Sequence, residues 1–220
     1  MQAVESETLI LYHTDLRGQW PEDAARALAV RLPYPRRLAV SSGTAAAKAS
    51  LAGIALALRA LARLLGRRVA AGEIRFAQGQ KPRLAPLTAA GAGGAADATA
   101  AAATLDRGLP DFSISHSGPW VGCAAVARGR VGFDVEMGTD ERIADWVVRE
   151  AALKATGAGI RAARELRELE LHDGRMYWRG EYWHVRRLAL FPGTSACVLS
   201  SLALGAVAAQ PVALAELFAP

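Results

Sequence analysis

The chain is poor in cysteine, aromatic residues and lysine, and each shortage narrows what it can be. Cys123 and Cys197 are its two cysteines, and neither has a second cysteine nearby at metal spacing. A zinc module or a disulfide framework is therefore excluded as its organising element. Both cysteines lie in apolar, strand-like runs, which predicts buried thiols in a reducing compartment. Aromatic residues make up 6% of the chain, and its arginines are spread rather than gathered with aromatics. With no recognised reading motif either, nucleic acid is not the expected partner. No basic region followed by a long apolar stretch opens the sequence, so no secretory signal and a cytoplasmic location are expected. The tail from Gly193 to Ala215 is uncharged, but Ser200, Ser201, Gly205, Gln210 and Pro211 interrupt it. It predicts a core strand and a short terminal element rather than a membrane span.

Lysine is the most telling shortage. Of 26 basic residues only Lys48, Lys81 and Lys154 are lysines, and the rest are arginine. Where arginine serves for generic charge, a lysine is worth attention for its compact ammonium and its ability to give up a proton. That marks Lys154 as a candidate acid and Lys81 as a candidate phosphate contact. The 220 residues, 52% of them hydrophobic, can bury a core in one domain or two small ones. A net charge of +5 predicts an acidic partner, whose encounter a positive surface would speed.

Three segments carry the chemistry. From Asp111 to Trp120 apolar and polar residues alternate up to Gly118-Pro119, the pattern of a half-buried strand ending in a turn. His116 therefore sits at a strand end, where an imidazole can donate to a phosphate oxygen or serve structurally. In Val131 to Glu136, alternation puts Val131, Phe133 and Val135 on one face and Asp134 and Glu136 on the other. Two carboxylates on one face repel unless a cation offsets them, and Mg²⁺ prefers a few carboxylates with its remaining positions kept for water and phosphate. Asp145 to Gly157 is a run of helix formers, with Asp145 near its start and Gly157 as its stop. Glu150 and Lys154 share a face there, either as an ordinary i,i+4 pair or as a third metal ligand beside an acid.

Phe112 to Ser117, Gly132 to Glu136 and Trp146 to Lys154 resemble, in order, the signature segments of the 4'-phosphopantetheinyl transferases of the surfactin-synthetase-activating type. Gly79-Gln80-Lys81-Pro82 resembles the Gly-Lys-Pro stretch that precedes the histidine motif in that family, with one extra residue. Lys48 to Gly53, followed by an apolar helix carrying Arg59, resembles its N-terminal helix more loosely. The matches span roughly residues 48 to 160.

The resemblance implies transfer of the phosphopantetheine arm of coenzyme A to a serine of an acyl or peptidyl carrier protein, releasing adenosine 3',5'-bisphosphate. It implies that Asp134, Glu136 and Glu150 hold Mg²⁺, with Mn²⁺ as an alternative, and that Glu150 accepts the serine proton. Lys154 would offset or protonate the departing phosphate, and Ser115 and His116 would contact the nucleotide phosphates. Lys81 and Pro82 would lie at the nucleotide end, and Lys48 would join the coenzyme A contacts. Two departures stand out. Only residues 137 to 145 separate the acidic pair from the Trp146 helix, where the family has a longer segment often used in carrier docking. Arg149 replaces the lysine common before the glutamate.

The expected fold is α+β, with two pseudo-symmetric halves, residues 1–106 and 107–220, each a small antiparallel sheet packed with a long helix around a ligand cleft. Strands are expected at Thr8 to Tyr12, Asp111 to Ser115, Val121 to Arg128, Arg130 to Glu136, Leu166 to Leu171, Tyr182 to Leu190 and Ser195 to Ser201. Helices are expected at Glu22 to Leu32 and Ala45 to Leu65, and a linker at Ala89 to Thr104. A monomer is expected. Trp178, Tyr182 and Trp183 read as packing residues, His172 as a turn residue, and Arg161, Arg164 and Arg167 as a solvated helical face. Two alternatives use the same residues: a catalytically degenerate coenzyme A binder, and a Mg²⁺-dependent phosphodiesterase that directs water to the same phosphorus.

Overall fold

The computed structural model describes residues 7–34, 36–77, 80–85, 108–158, 165–166 and 169–219. The expected linker and the Arg161, Arg164 and Arg167 face lie outside these residues. The architecture is mixed α+β, and its layers follow from how hydrophobic periodicity partners each face.

Helix α3 (Ala45–Leu65) follows α1 (Glu22–Ala29) and the short α2 (Arg36–Val40). The Thr44 hydroxyl caps it by accepting from the Ala47 N–H at 3.2 Å, and it ends at Gly66. Among the described residues it is the one helix long and apolar enough to cross a membrane, and most of it is buried inside the fold. Its apolar face covers a four-stranded sheet ordered β11-β1-β5-β4. The strands are β1 (Leu9–Asp15), β4 (Asp111–Ser117), β5 (Trp120–Val126) and β11 (Ala208–Pro211). Only the β1–β11 pair is parallel. Strands from both sides of residue 106 thus share one sheet.

The second sheet is antiparallel throughout and ordered β6-β10-β9-β8-β7. Its strands are β6 (Val131–Met137), β7 (Glu170–His172), β8 (Arg175–Trp178), β9 (Glu181–Leu188) and β10 (Thr194–Ser200). Helix α4 (Glu141–Thr156) packs on its outer face through Val147, Val148, Ala151 and Ala152, against Met176, Trp178 and Trp183. Leu9, Leu11 and Val126 of the first sheet meet Phe133, Val135 and Val198 of the second. The order through the molecule is helix, sheet, sheet, helix. A two-stranded ribbon, β2 (Ile74–Arg75) with β3 (Arg83–Leu84), and a terminal turn of helix α5 (Leu214–Leu217) complete it.

Several expectations shift in detail. Leu166 lies in a short helical turn, and among the described residues of the strand expected at 166–171 Glu170 and Leu171 are extended, in a strand that runs on to His172. His172 does end at a turn, in which Asp173 and Gly174 both have positive φ, as a two-residue hairpin requires. Helix α4 begins one turn earlier than Asp145: Asp140 caps it, its carboxylate accepting from the Arg142 and Ile143 N–H groups at 3.0 and 3.1 Å. Gly157 stops it with φ +69°, a conformation open to glycine at little cost.

Candidate functional site

Strand β4 belongs to the first sheet and β6 to the second, yet they run side by side in the same direction, joined by side chains rather than a backbone ladder. The Val131 N–H donates to Asp111 Oδ2 at 2.7 Å, Phe133 N–H to Ser113 Oγ at 2.9 Å and Met137 N–H to Ser117 Oγ at 3.0 Å. Each rung joins residues twenty apart in sequence. The alternation that buries Phe112 against α3 is what turns Asp111, Ser113, Ser115 and Ser117 towards β6.

On β6 the expected alternation holds. Val131, Phe133 and Val135 enter the core between the sheets, and Asp134 and Glu136 point towards β4. Ser115 Oγ donates to Asp134 Oδ1 and Ser117 Oγ to Glu136 Oε2, both at 2.7 Å. Gly132, on the Asp134 side of the strand, lets α4 come close: a Cβ there would overlap the Ala151 carbonyl oxygen and lie 2.6 Å from the Ala155 nitrogen. That contact brings Glu150 and Lys154 over the acidic pair.

Lys154 is the centre of the cluster. Its ammonium lies 2.5 Å from Asp134 Oδ1, 2.8 Å from Ser115 Oγ and 3.8 Å from Glu150 Oε2. Asp134 is 1% exposed, and its other oxygen, Oδ2, is buried without a hydrogen-bond partner. Burial pushes the Asp134 carboxyl up to about 6, with Lys154 and Ser115 pulling it back. An orphaned buried carboxylate oxygen is costly unless a cation or donor reaches it. Asp134, Glu136 and Glu150 are hard oxygen donors of the kind that suits Mg²⁺. As the side chains stand, however, no three acidic, histidine or cysteine groups among the described residues converge closely enough to hold a metal. The Lys154 ammonium takes up Asp134 Oδ1, and Ser117 takes up Glu136.

His116 faces the other way, exposed in a cleft of about 350 Å³ that Glu150 and Lys154 line from one side and Ser50 and Ile54 of α3 from the other. Burial lowers the His116 imidazole, and the Lys154 charge lowers it further, which favours a neutral ring. Pro82 and the Lys81 stem line the same cleft. The Lys81 ammonium is already engaged, giving protons to Asp111 Oδ2 at 2.5 Å and the Val131 carbonyl at 2.7 Å. Its side chain is 7% exposed, and burial pulls its ammonium down against the raising effect of Asp111. The candidate phosphate contact Lys81 is thus engaged as a clamp across the β4–β6 seam. Lys48 lies apart, in a separate hollow with Trp20 and Glu22, its ammonium 3.5 Å from Glu22 Oε1.

Sequence reasoning missed Arg36. Its guanidinium lines the cleft, held by the Ser50 hydroxyl and lying 5.3 Å from the centre of the Phe76 ring. Burial lowers its proton affinity, and its Nε is buried with no partner. Among the described residues no carboxylate pairs with it, and a partly desolvated guanidinium of that kind is an anion-binding group. Nothing in the sequence distinguished Arg36 among so many arginines. The residues that could meet a ligand are thus Arg36, His116, Glu150 and Lys154 at the cleft, with Ser115, Asp134 and Glu136 beside it.

No protein-family model matches the chain, and no curated protein is similar to it.

Proposed function

We propose that the protein transfers the 4'-phosphopantetheine arm of coenzyme A to a serine hydroxyl of an acidic acyl or peptidyl carrier protein. The observation that carries this reading is the convergence of Asp134, Glu150 and Lys154 beside a cleft that also presents Arg36 and His116. Two α/β layers would act as the family's pseudo-symmetric halves, and the cleft between α3 and α4 would receive coenzyme A.

Asp134, Glu136 and Glu150 would hold Mg²⁺ once Lys154 moves off Asp134, and Asp134 Oδ2 is the oxygen most in need of a positive partner. Bound there, the ion would supply Lewis-acid polarisation of the phosphoryl oxygen. Glu150 would take the proton of the carrier serine as its oxygen attacks the phosphorus that bears the pantetheine arm. The bond from that phosphorus to the bridging oxygen then breaks, and adenosine 3',5'-bisphosphate leaves. Lys154 would offset or protonate that leaving phosphate. Ser115 and His116 would contact the nucleotide phosphates, a neutral His116 donating its ring N–H, and Arg36 would hold anionic charge at the α3 side of the cleft.

A second reading, coenzyme A binding without transfer, is favoured by one observation: Lys154 neutralises Asp134 while no three metal-ligating groups converge among the described residues. One experiment separates the two. Apo carrier proteins are incubated with the protein, coenzyme A and Mg²⁺, with and without chelator, and read by intact-mass spectrometry. A chelator-sensitive gain of one phosphopantetheine arm is the expected result. No gain on any carrier, from a protein that still binds coenzyme A, would replace transfer with binding alone. Cleavage of coenzyme A without a carrier would instead indicate a phosphodiesterase.

A further inference from the structure

A larger cavity, about 640 Å³, opens between α1, α3, the 68–73 segment and the C-terminal residues 217–219. It is separate from the candidate site, and none of the candidate site residues lines it. Ala55, Leu58 and Ala62 of α3 face it at helical spacing, joined by Leu28, Leu217 and Phe218. The side of a helix turned away from its sheet ordinarily carries polar residues. Here that side stays apolar and lines a groove, and an apolar hollow on a surface marks a binding site more often than a packing defect.

The charges on the groove have one sign to spare. Arg31, Arg59 and Arg68 reach it, with Glu73 as the single carboxylate among its lining residues. Glu73 is taken by Arg67, to which it is bound by both oxygens, and Arg59 is paired with Glu216. Arg31 and Arg68 are exposed and form no ion pair among the described residues. An apolar floor with two unpaired guanidinium groups complements a ligand with an alkyl body and an anionic head, because arginine pairs carboxylates in a bidentate fork. The volume falls within the range of small-ligand pockets, and the α3 residues Ala55, Leu58 and Ala62 add no polar group to the floor. Both features suit an alkyl chain.

We propose that this groove binds a fatty carboxylate, with its alkyl chain along Ala55, Leu58 and Ala62 and its headgroup paired with Arg31 and Arg68. The inference does not depend on the transferase reading, since the two sites share no residue.

The test is calorimetric titration of the whole protein with dodecanoate below its micellar concentration, with dodecyltrimethylammonium as the cationic counterpart. Saturable dodecanoate binding and no binding of the cation are expected. Arg31→Glu with Arg68→Glu should weaken dodecanoate by about tenfold or more, the loss expected for charge-assisted pairs. Ala62→Trp, checked for folding by circular dichroism, should fill the channel and abolish binding. Absence of saturable binding, equal affinity for the cation, or undiminished affinity in the charge variant would each overturn the proposal. The charge variant alters exposed side chains only, so it decides the matter even if Ala62→Trp fails to fold.

Discussion

Helices α3 and α4 each cover one sheet, but they use their faces differently. Helix α3 buries residues almost all the way round, including Leu51, Ile54, Leu56 and Leu61, and its contribution is mainly to the core. Helix α4 buries one side only. Its other side carries Arg142, Trp146, Glu150 and Lys154 at intervals of one turn, leading from an exposed end to the carboxylates of β6. The closest approach also differs. On the first layer the glycine is on the helix, where a Cβ at Gly53 would overlap the Ile114 side chain. On the second it is on the strand, where a Cβ at Gly132 would overlap helix backbone. One layer spends its apolar surface on stability, and the other keeps a polar edge available for chemistry.

The largest expected effect separates chemistry from packing. Glu150→Ala and Asp134→Ala should each lower transfer by about a hundredfold or more, the usual scale for losing a proton-transferring or metal-holding group. The fold should stay intact in both by circular dichroism. Near-normal turnover in either folded variant would remove the assignment of the polar edge of α4. Next comes the glycine contrast, read by urea unfolding. Gly132→Ala meets backbone that cannot step aside and should cost about 3 kcal/mol or more. Gly53→Ala meets the Cγ2 methyl of Ile114, a side chain that must shift but is not backbone, and gains helix propensity, so its net cost should be roughly 1–2 kcal/mol. Equal costs would mean that the two helices are seated alike. Ser113→Ala strands the buried Phe133 N–H and should cost about 1–2 kcal/mol, with faster hydrogen exchange at that amide. The smallest effect is an absence of reaction. Burial pushes the Cys197 thiol up to about 12 and the Cys123 thiol higher still. Neither should react with Ellman's reagent at pH 8 in the folded protein, and both should react after unfolding.

What the sequence made legible was local. The limits of α3 and the glycine stop of α4 follow from a polar cap, a periodic apolar run and a glycine. The shared face of Asp134 and Glu136 follows from period-two alternation. Non-local pairing was not legible. Strand β11 lies parallel to β1 from the far end of the chain, and β8 was hidden because Trp178 read as an isolated packing residue. The same limit applied to the site. Glu150 and Lys154 could be placed on one face, but the insertion of the Lys154 ammonium between Asp134 and Glu150 depends on how closely α4 meets Gly132. The role of Lys81 depends on Asp111 and on a carbonyl of β6, both distant in sequence.

The rungs between β4 and β6 belong to side chains, and that has an evolutionary consequence. A backbone ladder can be made by almost any sequence, so mutation rarely cuts one bond of it. Here each rung is spelled by a single residue, Asp111, Ser113, Ser115 or Ser117. One codon change can loosen the joint between the layers at a chosen point while every strand keeps its own sheet. The junction that borders the site can therefore be retuned gradually, without a redesign of either layer.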